Sequence, residues 1–333
     1  MQSNKSKAFN ALAAIVSLAL CLAAAESMIR IKNSSMANYD IEMWRYAKEL
    51  KVRSADPALD FDHVRSKSAV LENVEIRLNQ WGLRGAPVGT SLPGTRRILF
   101  LGGSITLGWG VPEGETVEAR LESMFANSGT KVTVLNGGVG NYNAERYTSR
   151  FFNELRGLKP TDIVVHYFLR DAEALPPGNG NFLLRHSEVA VTLWIAYHRL
   201  FDAHGEQSIV DHYRAVYKQD APGFLVMRQQ LKRLADYAHA NNIRLYLAMV
   251  PDVHNLIDYK LGFIHEIMRQ IAMEDGYVFI DLLPALKGRP PEQLWAMPGD
   301  PHPNGLGHKL MAEAMFPVLA RDNGATQETR DPR

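Results

Sequence analysis

With a single cysteine, Cys21, the chain has no pair for a disulfide and no thiolate set for a metal. Net charge is scarce as well: 37 Lys and Arg stand against 36 Asp and Glu, a formal balance of +1. Such a balance gives no bulk electrostatic pull toward nucleic acid or an anionic membrane. No internal repeat is visible. The glycine-rich stretch 102–110 has no lysine where a phosphate-binding loop needs one, and its glycines are wrongly spaced for a dinucleotide fingerprint. Long apolar runs are few, and the longest stands at the extreme N-terminus.

Lys5 and Lys7 precede that run, Ala8 to Ala25, which is interrupted only by Asn10 and Ser17. It is long for a signal peptide and just adequate for a membrane span. Ala23-Ala-Ala25 also satisfies a small-x-small cleavage rule, so a retained anchor and release after Ala25 both stay open. Leu18-Ala-Leu-Cys21 departs from a lipoprotein site, because Leu20 is too large before the cysteine. A buried core helix is the third reading of the run. With Lys5 and Lys7 inside, the remainder is expected across the membrane, with Arg30 and Lys32 weighing against that orientation.

At 46% hydrophobic, the chain can bury one large α/β domain with elaborations. Residues 1–32 form the N-terminal helix and flank, and 33–95 read as a mixed elaboration. There Tyr39 to Lys51 has amphipathic helical spacing, Val74 to Leu78 alternates like a strand, and Trp81-Gly-Leu-Arg-Gly85 makes a turn. From 96 to 320 strand and helix patterns alternate, as in a parallel sheet covered on both faces. The strand-like runs are Ile98–Leu101, Val132–Leu135, Ile163–Phe168, Leu245–Val250 and Val278–Leu282. Tyr147, Phe151, Leu155 and Leu158 make one helical stripe, and Phe224, Met227, Leu231 and Leu234 another; both read as core faces. Residues 174–220 are too long for a simple crossover and read as an insertion. Within it Val189 to Phe201 is apolar nearly all round, which predicts burial over the site edge, or docking on a partner or membrane. A last helix runs from about Gly305 to Leu319, and 321–333 is a polar tail.

Ser104 lies in Gly102-Gly-Ser-Ile-Thr-Leu-Gly-Trp-Gly110, directly after the first strand of the main domain. Open α/β sheets place ligands at that end of a strand. The flanking glycines permit a sharp turn and close approach to a substrate. Taken alone, the loop is equally well a structural turn. His302 is the candidate base, held in Pro298-Gly-Asp-Pro-His-Pro-Asn304, where prolines stiffen the backbone. Taken alone, it is a solvated loop histidine.

Together these segments resemble the SGNH (GDSL-type) esterases and acyl hydrolases, over Arg96 to about Leu319. Leu101-Gly-Gly-Ser-Ile-Thr-Leu-Gly108 looks like the first family block, with Gly103 where aspartate is usual and Ser104 as nucleophile. Leu135-Asn-Gly-Gly-Val-Gly-Asn-Tyr142 is similar to the second, whose backbone N–H serves the oxyanion. By register that position is Asn141, with Gly140 the fallback; Asn tolerates left-handed backbone. In the third block, Phe168-Leu-Arg-Asp171, Arg170 replaces the oxyanion-hole asparagine. In the fourth, the usual aspartate position holds Gly299, and Asp300 stands two residues before His302. The resemblance implies a flavodoxin-like three-layer α/β/α sandwich with a five-stranded, mostly parallel sheet. It implies Ser104, His302 and Asp300 as catalytic residues, and Ser104, Asn141, Gly140 and Arg170 around the oxyanion. It implies no cofactor and no metal. Asp171, His166, His308 and Asn304 read as structural residues.

Asn79-Gln-Trp-Gly-Leu-Arg84 and Tyr167-Phe-Leu-Arg-Asp-Ala-Glu173 are also similar to anchored bacterial members of the family. These imply a periplasmic domain tethered by the N-terminal helix, acting on an ester or acylated carbohydrate. No nucleic acid is expected as a partner. Two alternatives stay open: an O-acetyltransferase with the same residues, and a non-catalytic member that binds polysaccharide or a partner.

Overall fold

In a computed structural model that describes residues 2–90, 94–176, 178, 182–201, 206–298 and 302–321, each of the five apolar runs forms a strand. Ahead of them come α1 (Gln2–Asn33), α2 (Tyr39–Leu50), a short pair β1 (Lys51–Arg53) and β2 (Phe61–His63), and a hairpin of β3 (Lys67–Leu71) and β4 (Val74–Leu78). The main domain follows as β5 (Arg96–Gly102), α3 (Ser104–Leu107), α4 (Val117–Asn127), β6 (Val132–Asn136), α5 (Ala144–Asn153) and β7 (Asp162–Phe168). The segment between β7 and the next sheet-covering helix holds α6 (Phe182–His186), α7 (Glu188–Phe201) and α8 (Glu206–Val216). The chain closes with α9 (Pro222–Ala240), β8 (Arg244–Val250), α10 (Gly262–Asp275), β9 (Val278–Asp281), α11 (Leu283–Leu286) and α12 (Gly305–Arg321).

The five main strands pair in the order β6-β5-β7-β8-β9, every pairing parallel. Both faces are covered, so the middles of the strands are mostly apolar on both sides rather than alternating. Leu99, Leu101, Ile163, Val165 and Leu247 point to one face with α5, α9 and α10. Ile98, Phe100, Val164, Tyr246 and Ala248 point to the other with α4 and α12. The result is a three-layer α/β/α sandwich with flavodoxin-like strand order. Strand order reverses at β5, which is the switch point where such sheets bind ligands. The entry edge is clamped by charge: buried Asp162 at the start of β7 takes Arg96 of β5 at 2.7 Å and Arg244 of β8 at 2.9 Å.

The two apolar stripes are buried as their spacing predicts, although the first splits. Tyr147 and Phe151 lie in α5, while Leu155 and Leu158 lie in a following 3₁₀ turn. The expectation of burial for Val189–Phe201 is not met. Val191 is buried, yet Leu193, Trp194 and Tyr197 stand in solvent, because α7 packs on α1 and α2 instead of on the sheet. α1 is long and apolar enough to cross a membrane by length and composition, with mean hydropathy 2.2 and none of its apolar window buried.

Candidate active site

β5 delivers Gly102 and Gly103 to the sheet edge, and α3 begins at Ser104. A side chain at position 102 would collide with Thr106 Oγ1 and the His166 carbonyl, so the turn into α3 closes only on glycine. The second glycine-rich block packs against this turn. A Cβ at Gly138 would lie 2.2 Å from the Leu107 nitrogen, and the Val139 N–H donates to the Gly102 carbonyl at 3.2 Å. The candidate nucleophile loop and the candidate oxyanion loop are thereby locked together.

His302 comes from the far end of the sequence and meets Ser104 directly. Its Nε2 lies 2.7 Å from the Ser104 hydroxyl across a separation of 198 residues. The imidazole is buried and Ser104 half-buried. The His302 backbone is fixed by the Ala296 N–H, which donates to its carbonyl at 2.8 Å, and by pairing of Pro303 with Trp295. With Nε2 as acceptor, the hydroxyl proton is aimed at the ring, the geometry a general base requires. Asp300 lies outside the described residues.

Asn141 adopts left-handed backbone, φ 63°, as its residue type permits. Its N–H and that of Ser104 donate to no acceptor among the described residues. Gly140, the fallback, is corrected. Its N–H donates to the Tyr46 hydroxyl at 2.9 Å, so it is committed to the fold. The Tyr46 hydroxyl, having accepted that bond, donates its own O–H to His63 Nε2 at 2.6 Å, and His63 Nδ1 donates to the Gly82 carbonyl at 2.7 Å. This order fixes the neutral His63 tautomer. Burial and the nearby Arg150 guanidinium hold its pKa well below the ordinary range. On the other side of the loop, half-buried Lys51 donates to the Gly140 carbonyl at 2.7 Å.

Arg170 stands at the exit of β7, yet its Nε donates to Glu173 at 3.3 Å and the side chain is half exposed. The side chain expected as a third oxyanion donor is therefore tied to an acid on its own loop. Asp171 closes that loop by accepting the Phe168 N–H at 3.2 Å. His166 is a core residue beside Thr106, and burial pushes its pKa down to about 3. His308 Nδ1 accepts the Val117 N–H, and Asn304 caps α12 through the Leu306 and Gly307 N–H groups. Among the described residues no cluster of three or more His, Cys, Asp or Glu side chains could hold a metal.

Four residues at the candidate site had no role assigned from the sequence: Tyr46 and Lys51 at the candidate oxyanion loop, Arg84 behind Ser104, and Tyr39 over His302. Buried Arg84 donates to the carbonyls of Leu107 at 2.8 Å and Val111 at 2.6 Å, bracing the turn after Ser104. The Tyr39 ring lies 5.6 Å from that of His302. Arg84 carried a signal, since it ends the Asn79–Arg84 motif; the tyrosines and the lysine carried none.

Among solved structures, the esterase EstA from Pseudoalteromonas sp. is 15% identical, with TM-score 0.44 over 69% of this chain and 99% of that one. A lipolytic G-D-S-L protein from Desulfitobacterium hafniense is 18% identical, with TM-score 0.42 over 67% and 99%. An acetyl xylan esterase, AlAXEase, is 16% identical, with TM-score 0.41 over 67% and 99%. A sequence search of curated proteins found no match. The model of the GDSL-like lipase/acylhydrolase family matches residues 100–310, which takes in Ser104, both glycine blocks and His302. With the candidate nucleophile loop at the switch point of a parallel sheet and its histidine partner inside that match, the chain belongs to the GDSL-like lipase/acylhydrolase family, and it is a hydrolase.

Proposed function

We propose that the chain is a serine esterase in which Ser104 and His302 perform the chemistry. The observation that carries this reading is the 2.7 Å contact between Ser104 Oγ and His302 Nε2. His302 Nε2 takes the hydroxyl proton as Oγ attacks the ester carbonyl carbon. The Ser104 and Asn141 N–H groups receive the negative oxygen of the tetrahedral intermediate. Collapse breaks the ester bond, and the imidazolium returns the proton to the departing alcohol. Water, deprotonated by the same nitrogen, then hydrolyses the acyl-enzyme. Asp300, one residue off the family's usual aspartate position, is assigned to Nδ1 of His302 from its residue type and its place in the same proline-rich loop, as the group that fixes the tautomer.

The substrate class is an acylated carbohydrate at the cell surface, a reading supported by the likeness of Asn79–Arg84 and Tyr167–Glu173 to anchored bacterial members. α1 is assigned as a retained anchor, with Lys5 and Lys7 on the cytoplasmic side. Its support is the unbroken helix from Gln2 to Asn33 and the packing of its last two turns against the rest of the chain.

Hydrolysis of p-nitrophenyl acetate by the full chain in detergent tests the assignment. Ser104→Ala and His302→Ala are expected to lower kcat by ~10⁴ or more. Asp300→Asn is expected to lower kcat with little change in KM. Activity that survives Ser104→Ala overturns the proposal.

A further inference from the structure

The α6–α7 segment carries an apolar surface that the catalytic reading leaves unused. Outside α1, twelve large apolar side chains are exposed among the described residues, and five of them lie here: Phe182, Leu183, Leu193, Trp194 and Tyr197. The other seven are scattered over the chain from Val52 to Leu306. Leu193, Trp194 and Tyr197 share one face of α7 by their i, i+1 and i+4 spacing. Contiguous exposed apolar area of this kind marks an interaction surface.

The position of that surface identifies its occupant. The carboxylate of Glu26, the residue after the apolar run, accepts from the Ser187 hydroxyl at 2.9 Å and from the first N–H groups of α7, Glu188 at 2.9 Å and Val189 at 3.2 Å. Asn33 Nδ2 donates to Glu188 at 2.8 Å, and Arg30 donates to the His186 carbonyl at 3.2 Å. The Trp44 indole N–H ties α6 to α2 through the Leu184 carbonyl at 2.6 Å. The run Ala8–Ala25 spans ~27 Å at 1.5 Å per residue, close to the ~30 Å hydrocarbon thickness of a bilayer. α7 therefore starts at the level where α1 leaves the hydrocarbon. Trp and Tyr favour that boundary, and the exposed cations Lys32 and Arg185 flank it, where anionic headgroups lie.

We propose that α6 and α7 form a second membrane attachment, lying in the headgroup boundary of the bilayer that α1 enters and burying Phe182, Leu183, Leu193, Trp194 and Tyr197 there. The consequence concerns the site. Five residues separate the end of α1 from α2, whose first side chain, Tyr39, lies against His302. Two attachments hold the dyad at the bilayer surface, facing esters carried on or beside the membrane. This rests on the anchor assignment for α1, and the test keeps the two apart.

The full chain with Cys21→Ser is placed in phosphatidylcholine/phosphatidylglycerol vesicles. Single cysteines at Leu12→Cys, Leu193→Cys or Met273→Cys carry an environment-sensitive fluorophore, and lipids spin-labelled near the headgroup act as quenchers. Each variant is first required to keep the parent's thermal midpoint. The expected result is quenching at 12 and 193 and none at 273, the exposed position on α10. Quenching at 12 without 193 overturns the α6–α7 attachment and leaves the anchor standing. Quenching at neither overturns both. A blue-shifted, unquenched probe at 193 means that protein, such as a second copy, covers the patch, and this also overturns the proposal.

Discussion

Tyr46 holds three partners through one phenol oxygen and its ring: the Gly140 N–H, His63 Nε2 and the edge of Trp109. Removing the oxygen leaves a buried N–H and a buried imidazole nitrogen unpaired, at a cost of ~1–3 kcal/mol each. Tyr46→Phe is therefore expected to lower Tm. Because Gly140 directly precedes the proposed oxyanion donor, it is also expected to lower kcat roughly ten- to hundredfold with KM nearly unchanged. A purely structural tyrosine would lower Tm and leave kcat of the folded protein intact, which steady-state kinetics below Tm distinguishes. Ser104 and His302 were singled out beforehand because their flanking blocks, taken together, resemble the family's, although neither loop decides it alone. Tyr46 was not, since its role depends on a partner 94 residues away and nothing in its neighbours encodes that meeting.

At the scale of elements, the strands of the main sheet were legible because the sheet is covered on both faces and each run is mostly apolar, broken only by Thr133, His166 and Asp281. α7 misled for the same physical reason. An all-round apolar helix signals something to cover it, and composition does not say whether that is the sheet or a surface outside the chain. α4 carries a testable electrostatic feature. Glu118 lies buried on it, hydrogen-bonded to Asn136 at 3.1 Å, and burial raises its carboxyl from 4.5 to about 8. The folded chain thus holds a proton that the unfolded chain releases above about pH 4.5. Stability then falls as pH rises from about 4.5 to about 8, by of order a few kcal/mol, and the loss is complete above the folded value. Glu118→Gln is expected to flatten that slope and raise Tm at pH 9 relative to the parent. Thermal denaturation of both proteins across pH 5–9 checks it, and parallel pH profiles would contradict it.

For the whole molecule, the reversal of strand order at β5 presents the first and second glycine blocks side by side, and the loop that leads into α12 brings His302 onto Ser104. The order of elements was legible from alternation alone, and within the N-terminal elaboration α2 and β4 were legible from their spacing. What was not legible is that this region reaches the site, through Tyr39 of α2, Lys51 of β1 and Arg84 after β4, because those contacts depend on partners distant in sequence. In the proposed reaction this assembly makes Ser104 a nucleophile and His302 its base. Labelling the full chain with a fluorophosphonate and mapping the adduct by peptide mass spectrometry tests it most directly. A single adduct on Ser104 is expected, its rate of formation dropping at least ~10²-fold in His302→Ala. An adduct on another serine, or labelling of Ser104 at an unchanged rate without His302, would contradict it.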